Sequence, residues 1–171
     1  MMNLLHQATS QETIMDSQDA IKLLEADHRE AESLFDQYEK MKDKASAQER
    51  MEIAKKVCSA LLIHMEIEEK IFYPQVRQKI DDDDLMNESV VEHAGAKDLI
   101  KQIGQLKPDD PMFDAKIKVL GEQIKHHVEE EETEMFPKVK KARLDLSVIG
   151  AELLKGKNQM REEHGLTPVA A

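Results

Sequence analysis

The sequence has no tryptophan, only two tyrosines and four phenylalanines, and few β-branched runs. Glu, Lys, Leu, Ala and Met are abundant instead, which excludes strand-rich classes and points to an all-helical chain. Cysteine is nearly absent. Cys58 stands alone, so no intramolecular disulfide can form, which fits a reducing compartment. A surplus of positive charge is also missing: 24 Lys and Arg against 35 Asp and Glu give a net charge of -11. That balance argues against nucleic acid, whose binding needs a basic footprint. No stretch approaches the roughly 20 apolar residues of a membrane span. Met1 to Ile14 has neither the basic start nor the apolar run of a signal peptide. The expectation is a cytoplasmic protein without membrane contact.

What is present is a duplication. The stretch His64-Met65-Glu66-Ile67-Glu68-Glu69-Lys70-Ile71-Phe72-Tyr73-Pro74 returns as His127-Val128-Glu129-Glu130-Glu131-Glu132-Thr133-Glu134-Met135-Phe136-Pro137. Upstream of the first copy lies Asp27-His28, and upstream of the second lies Glu92-His93, each followed by spaced apolar residues. Each half thus supplies one acid-His pair and one His with Glu four residues later, and the function is expected where the halves face each other.

The 171 residues suit one domain with a sizeable core. Residues 1–16 lack periodicity and are expected to form a mobile segment. Residues 17–143 carry four helical stripes, and residues 144–171 read as a short helix and a tail. The first helix starts at Ser17 or Asp19, with a stripe of Ile21, Leu24, His28, Ala31, Phe35 and Tyr38. Ser46 to Glu49 has the form of a capping box opening the second. Its stripe runs Ile53, Val57, Leu61, His64, Glu68, and Pro74 should kink or end it. Asp81 to Asp84 reads as a solvated connector and cap, since calcium-loop spacing is absent.

The third helix is expected over Leu85 to Leu106, with Val90 or Ser89, His93, Ala96, Ile100 and Ile103 inward. Asp110-Pro111 reads as the cap and first residue of the fourth. That helix has the cleanest stripe: Ile117, Leu120, Ile124, His127, Glu131, Met135. Leu144, Leu146, Ile149, Leu153 and Leu154 suggest a short fifth helix, with the tail fraying from Lys155.

Every stripe therefore carries a His at mid-length, and two carry a Glu. One His with Glu four residues on means little, and His28-Glu32 and His126-Glu130 have that spacing too. A lone core His is more often structural than a ligand. Four His and two Glu at matching depth are a different matter, because buried unpaired carboxylates cost several kcal/mol. A multivalent cation compensates them. Residues four apart share a helix face, so His64 with Glu68, and His127 with Glu131, can aim at one axis. The set exceeds one tetrahedral zinc and suits two first-row ions, iron favoured, with manganese or zinc as substitutes. The Glu-x-x-His spacing of ferritin-like bundles occurs once, at Glu25/His28.

These motifs resemble the hemerythrin-like domains of the HHE cation-binding family over about Asp19 to Arg143. The resemblance implies an up-down-up-down four-helix bundle holding an oxo- or hydroxo-bridged di-iron centre. It carries ligand roles to His28, His64, Glu68, His93, His127 and Glu131. His28 and His64 would serve one iron, His93 and His127 the other, with Glu68 and Glu131 bridging. Glu69 and Glu132 are candidates to support the ligands. Oxygen-carrying members have a His where this chain has Lys97, whose ammonium would face solvent or donate a proton.

The functional expectation is a non-haem di-iron protein that binds or reduces dioxygen, nitric oxide or peroxide. The alternative is a metal-dependent sensor or interaction module whose iron state a partner protein reads. A third reading is a structural or storage role with a non-redox ion.

Overall fold

The structure is a computed structural model and describes residues 19–169. The segment 1–16 expected to be mobile lies outside the described residues. Helix α1 (Ala20–Met41) starts where the Asp19 carboxylate accepts from the backbone N–H groups of Ile21 and Lys22, at 2.9 and 3.2 Å. Helix α2 (Ala47–Ile67) opens with the expected capping box: Ser46 Oγ accepts from Glu49 N at 3.3 Å, and Glu49 accepts from Ser46 N at 2.8 Å.

Pro74 neither breaks nor ends this helix. A five-residue π turn (Glu68–Phe72) follows α2, and α3 (Tyr73–Arg77) continues it. In the π turn the Tyr73 N–H reaches back to the Glu68 carbonyl. The wider turn absorbs the donor that Pro74 lacks. The second repeat does the same: α5 (Phe113–Glu130) runs into a π turn (Glu131–Met135) and then α6 (Phe136–Lys141). Both π turns begin at the Glu of the repeat.

Between them lies α4 (Asp83–Gln105), capped as expected by the acidic run, with Asp82 Oδ1 accepting from Leu85 N at 3.1 Å. Ser89, rather than Val90, faces inward. The start of α5 differs from expectation. Asp110 caps a turn, accepting from Met112 N at 2.8 Å, and the helix begins only at Phe113.

The four long helices form the expected bundle, α1 pairing with α2 and α4 with α5. Its interior has two apolar layers. One joins Leu24, Ile67, Phe72, Met86, Met135 and Phe136; the other joins Ala31, Tyr38, Leu61, Ala96, Leu120 and Ile124. Along every helix the stripe His lies between residues of these two layers.

The fifth helix, α7 (Leu146–Glu163), packs on α1, α2 and the first π turn. Gly156 permits that approach, since a Cβ there would stand 2.7 Å from Ile71 Cδ1. The helix runs past Lys155, where the sequence suggested fraying. Lys157 is buried against α1, and Met160 joins the apolar layer below. The polar look of this segment concealed a residue that finds its partner only in the fold.

Candidate metal centre

All six predicted residues meet between the apolar layers, and all are buried. Ligand atoms of His28, His64, Glu68 and Glu131 lie within 4.8 Å of one another, as do those of Glu68, His93 and His127. The two groups share Glu68. His28 Nε2 stands 3.1 Å from Glu131 Oε2, and His64 Nε2 3.2 Å from Glu68 Oε2. His93 Nε2 stands 3.3 Å from Glu68 Oε2, and His127 Nε2 3.6 Å from Glu131 Oε2.

Each imidazole faces inward with Nε2 because a carboxylate holds its other nitrogen. His28 Nδ1 pairs with Glu132 at 2.8 Å, His93 Nδ1 with Glu69 at 3.0 Å, and His127 Nδ1 with Glu92 at 2.7 Å. His64 Nδ1 pairs with Asp27 at a longer 3.4 Å. An ionised carboxylate only accepts, so the Nδ1 protons stay outward and each Nε2 is presented to the centre. Glu69 and Glu132 support ligands as the sequence suggested. Asp27 and Glu92 were missed in that role, although an acid directly before each first-helix His was visible in the repeat.

Cations back these carboxylates. Arg29 donates to Glu132, Lys157 to Asp27, and Lys97 Nζ to both Glu69 oxygens at 2.7 and 2.6 Å. Lys97 therefore neither points freely to solvent nor reaches the centre; it acts on His93 through Glu69. His126 is exposed and pairs with Glu92 and Glu130, away from the centre as expected.

The repeat also supplies rings. Phe136 stacks on His28 with planes 1° apart, and Tyr73, at the equivalent position, stacks on His93. The Tyr73 hydroxyl donates to Glu131 Oε1 at 2.8 Å. Its role was not evident in the sequence, where Tyr and Phe read as the same aromatic position.

The donor set fits metal ions on a physical test. Six buried side-chain polar atoms lack a hydrogen-bond partner among the described residues, and five are here: His28 Nε2, His64 Nε2, both Glu68 oxygens and Glu131 Oε2. Each such atom costs about 1–3 kcal/mol. Four of the five face one another in pairs, His28 Nε2 with Glu131 Oε2 and His64 Nε2 with Glu68 Oε2, without hydrogen-bond alignment, and cations between them would satisfy the set.

Without metal, protons carry part of the compensation. Burial lowers the basicity of His28 and His127, but Glu131 and the other carboxylates outweigh it and lift both to about 9. Burial and the charged His127 push His93 down to about 4. The His127 Nε2 proton is thus donated to His93 Nε2 at 3.0 Å. Burial and the neighbouring Glu131 push Glu68 up to about 8. Burial would raise Glu131 too, but His127 and His28 hold it below the ordinary carboxylate range.

A helical bundle with imidazoles and carboxylates converging at mid-length defines a cation-binding four-helix protein. The chain belongs to the hemerythrin HHE cation binding domain family, which matches residues 19–139. The crystal structure of a hemerythrin HHE cation binding domain-containing protein from Mycobacterium kansasii has the same fold, with a TM-score of 0.71. It is 19% identical, and the match covers 85% of this chain and 88% of that one. A DNA nickase from a Nostoc species is 29% identical over 126 residues, 74% of this chain and 34% of that protein. This chain therefore spans about a third of that relative's length.

Proposed function

We propose that this protein is a non-haem di-iron protein that binds or reduces a small molecule: dioxygen, nitric oxide or peroxide. The observation that carries the reading is the set of orphaned Nε2 and carboxylate atoms falling into two groups that share Glu68. Two ions accommodate this set better than one, with His28 and His64 serving the first and His93 and His127 the second. Glu68 and Glu131 would bridge them. A pair of iron ions, when bound, supplies redox equivalents and open coordination positions; manganese or zinc would fit the same donors.

The chain's own residues prepare that chemistry. The four outer carboxylates fix the rings, so little reorganisation accompanies loading. Burial would raise the Asp27 and Glu69 carboxyls, but His64 with Lys157, and Lys97 with His93, hold them below the ordinary carboxylate range and therefore accepting. Arg29 donates to Glu132. Apolar layers on both sides exclude bulk water, which strengthens every charge interaction inside. Tyr73 holds one oxygen of Glu131 and fixes which oxygen remains for the centre.

The nicking activity named for the Nostoc relative is not part of this reading, because an acidic chain lacks the positive surplus that binding a phosphate backbone draws on. A second reading, a sensor whose metal state a partner protein reads, is favoured by one observation. Lys157 belongs to α7, outside the bundle, yet grips the Asp27 that holds His64.

Metal analysis with an absorption spectrum of anaerobically purified protein tests the proposal. Two irons per chain and charge-transfer bands that change with oxygen, nitric oxide or peroxide are expected. A colourless protein holding one non-redox ion would overturn it.

A further inference from the structure

Helix α7 does more than cover apolar surface: it carries Lys157 into the interior, 7% exposed. The ammonium donates to Asp27 Oδ1. An ammonium has three donors, and no second acceptor for it is found among the described residues. Lys157 lines a cavity that also touches Ala31, His28, His64 and His127. Three of the four histidines of the centre thus border it. The cavity gives the centre of a water-sized molecule about 20 Å³ of room. A water sphere itself fills about 10–15 Å³, and this freedom of its centre leaves space for a water or a molecule of two heavy atoms.

Charge narrows the choice. With metal on their Nε2 atoms the lining histidines would hold no extra proton. Asp27 and Glu30 match Lys157 and Arg161 in number, so no surplus of side-chain charge would select an anion beside the loaded centre. What the lining offers is a buried donor beside apolar walls such as Ala31 and Leu61. A small, uncharged molecule with an accepting atom fits that character.

We infer that this cavity is a holding site for an uncharged ligand of two heavy atoms, with Lys157 as its hydrogen-bond donor, beside the metal centre. The inference rests on the di-iron reading for its role, but the cavity can be probed without metal.

Crystals of metal-free protein under xenon pressure should show xenon in the cavity of the wild type. Ala31→Leu fills the space and should show none. In metal-loaded protein, stopped-flow mixing with nitric oxide and with hydrogen peroxide should be about tenfold slower or more for Ala31→Leu. Lys157→Met keeps the chain length but removes the donors. It should slow peroxide, a good acceptor, several-fold more than nitric oxide, a weak one, at equal metal content; any shared slowing reports the loosened Asp27 behind His64. No xenon in the wild-type cavity overturns the inference, as do wild-type rates in both variants with metal retained. If xenon binds but the loaded wild type gives no spectral response to either molecule, the holding site stands and the di-iron reading falls.

Discussion

Tyr73 and Phe136 occupy the same position in the two repeats, and one hydroxyl separates them. Tyr73 stacks on His93 and donates to Glu131 at 2.8 Å; Phe136 stacks on His28 and leaves both Glu68 oxygens without a hydrogen-bond partner. A pseudo-symmetric site is thereby made unequal: one carboxylate is tethered and the other is not. Tyr73→Phe should erase the difference while keeping the stacking. We expect metal to be retained, the absorption spectrum to shift, and stability to fall by about 1–3 kcal/mol for the lost buried donor. Denaturant unfolding and spectroscopy on the same samples check it, and an unchanged spectrum would remove Tyr73 from the centre.

Glu68 and Glu131 begin the π turns and point inward, whereas Glu66 is half-buried at the surface in a pair with Lys70, and Glu129 is exposed. Glu68→Ala and Glu131→Ala should each lower metal content, and Glu66→Ala and Glu129→Ala should not. Elemental analysis of the four variants decides it. Equal metal in all four would mean that the buried carboxylates bind no ion.

Between pH 6.5 and 9, metal-free protein should lose stability as pH rises. His28 and His127 stand at about 9 in the folded chain against 6.5 for free histidine. The folded state then holds protons that the unfolded chain gives up above pH 6.5. This stabilisation is complete below pH 6.5 and is lost as pH rises through 9. Glu68, raised to about 8 from 4.5, acts in the same direction. Urea unfolding of metal-free protein should show stability falling from pH 6.5 to 9. Metal must displace these protons, so loading near pH 7.5 should release protons and flatten the decline. Loaded protein should also melt at a higher temperature than metal-free protein.

Glu69 pairs with His93 directly, and among the described residues Lys97 pairs with Glu69 and not with a histidine of the centre. Glu69→Gln should therefore weaken metal binding by about 10–100-fold, the usual cost of losing a carboxylate behind a ligand histidine. Lys97→Met should weaken it less, because Glu69 still accepts from His93. Competition titration with a chelator orders the two. A larger effect at Lys97 would mean that its ammonium serves the centre by some other path.

Much of this protein was legible in the chain because repetition and periodicity are written there. The stripes Ile21-Leu24-His28-Ala31 and Ile117-Leu120-Ile124-His127-Glu131 named the buried faces, and burial follows helical spacing without knowledge of partners. The same spacing marked all six residues of the centre. The capping box at Ser46 was equally plain, since a cap is made within four residues.

The tertiary structure decided what depends on neighbours distant in sequence. Lys157 looked like part of a fraying tail, but Asp27, 130 residues away, gives it a reason to be buried. Lys97 read as facing solvent or donating a proton until the π turn after α2 brought Glu69 to it. Asp27 and Glu92 became supports for His64 and His127 only once the helices were paired. Pro74 has the chemistry of a helix breaker, and packing kept the helix running by widening one turn. Local sequence set which atoms could face the interior; the long-range approach of the helices determined which of them meet.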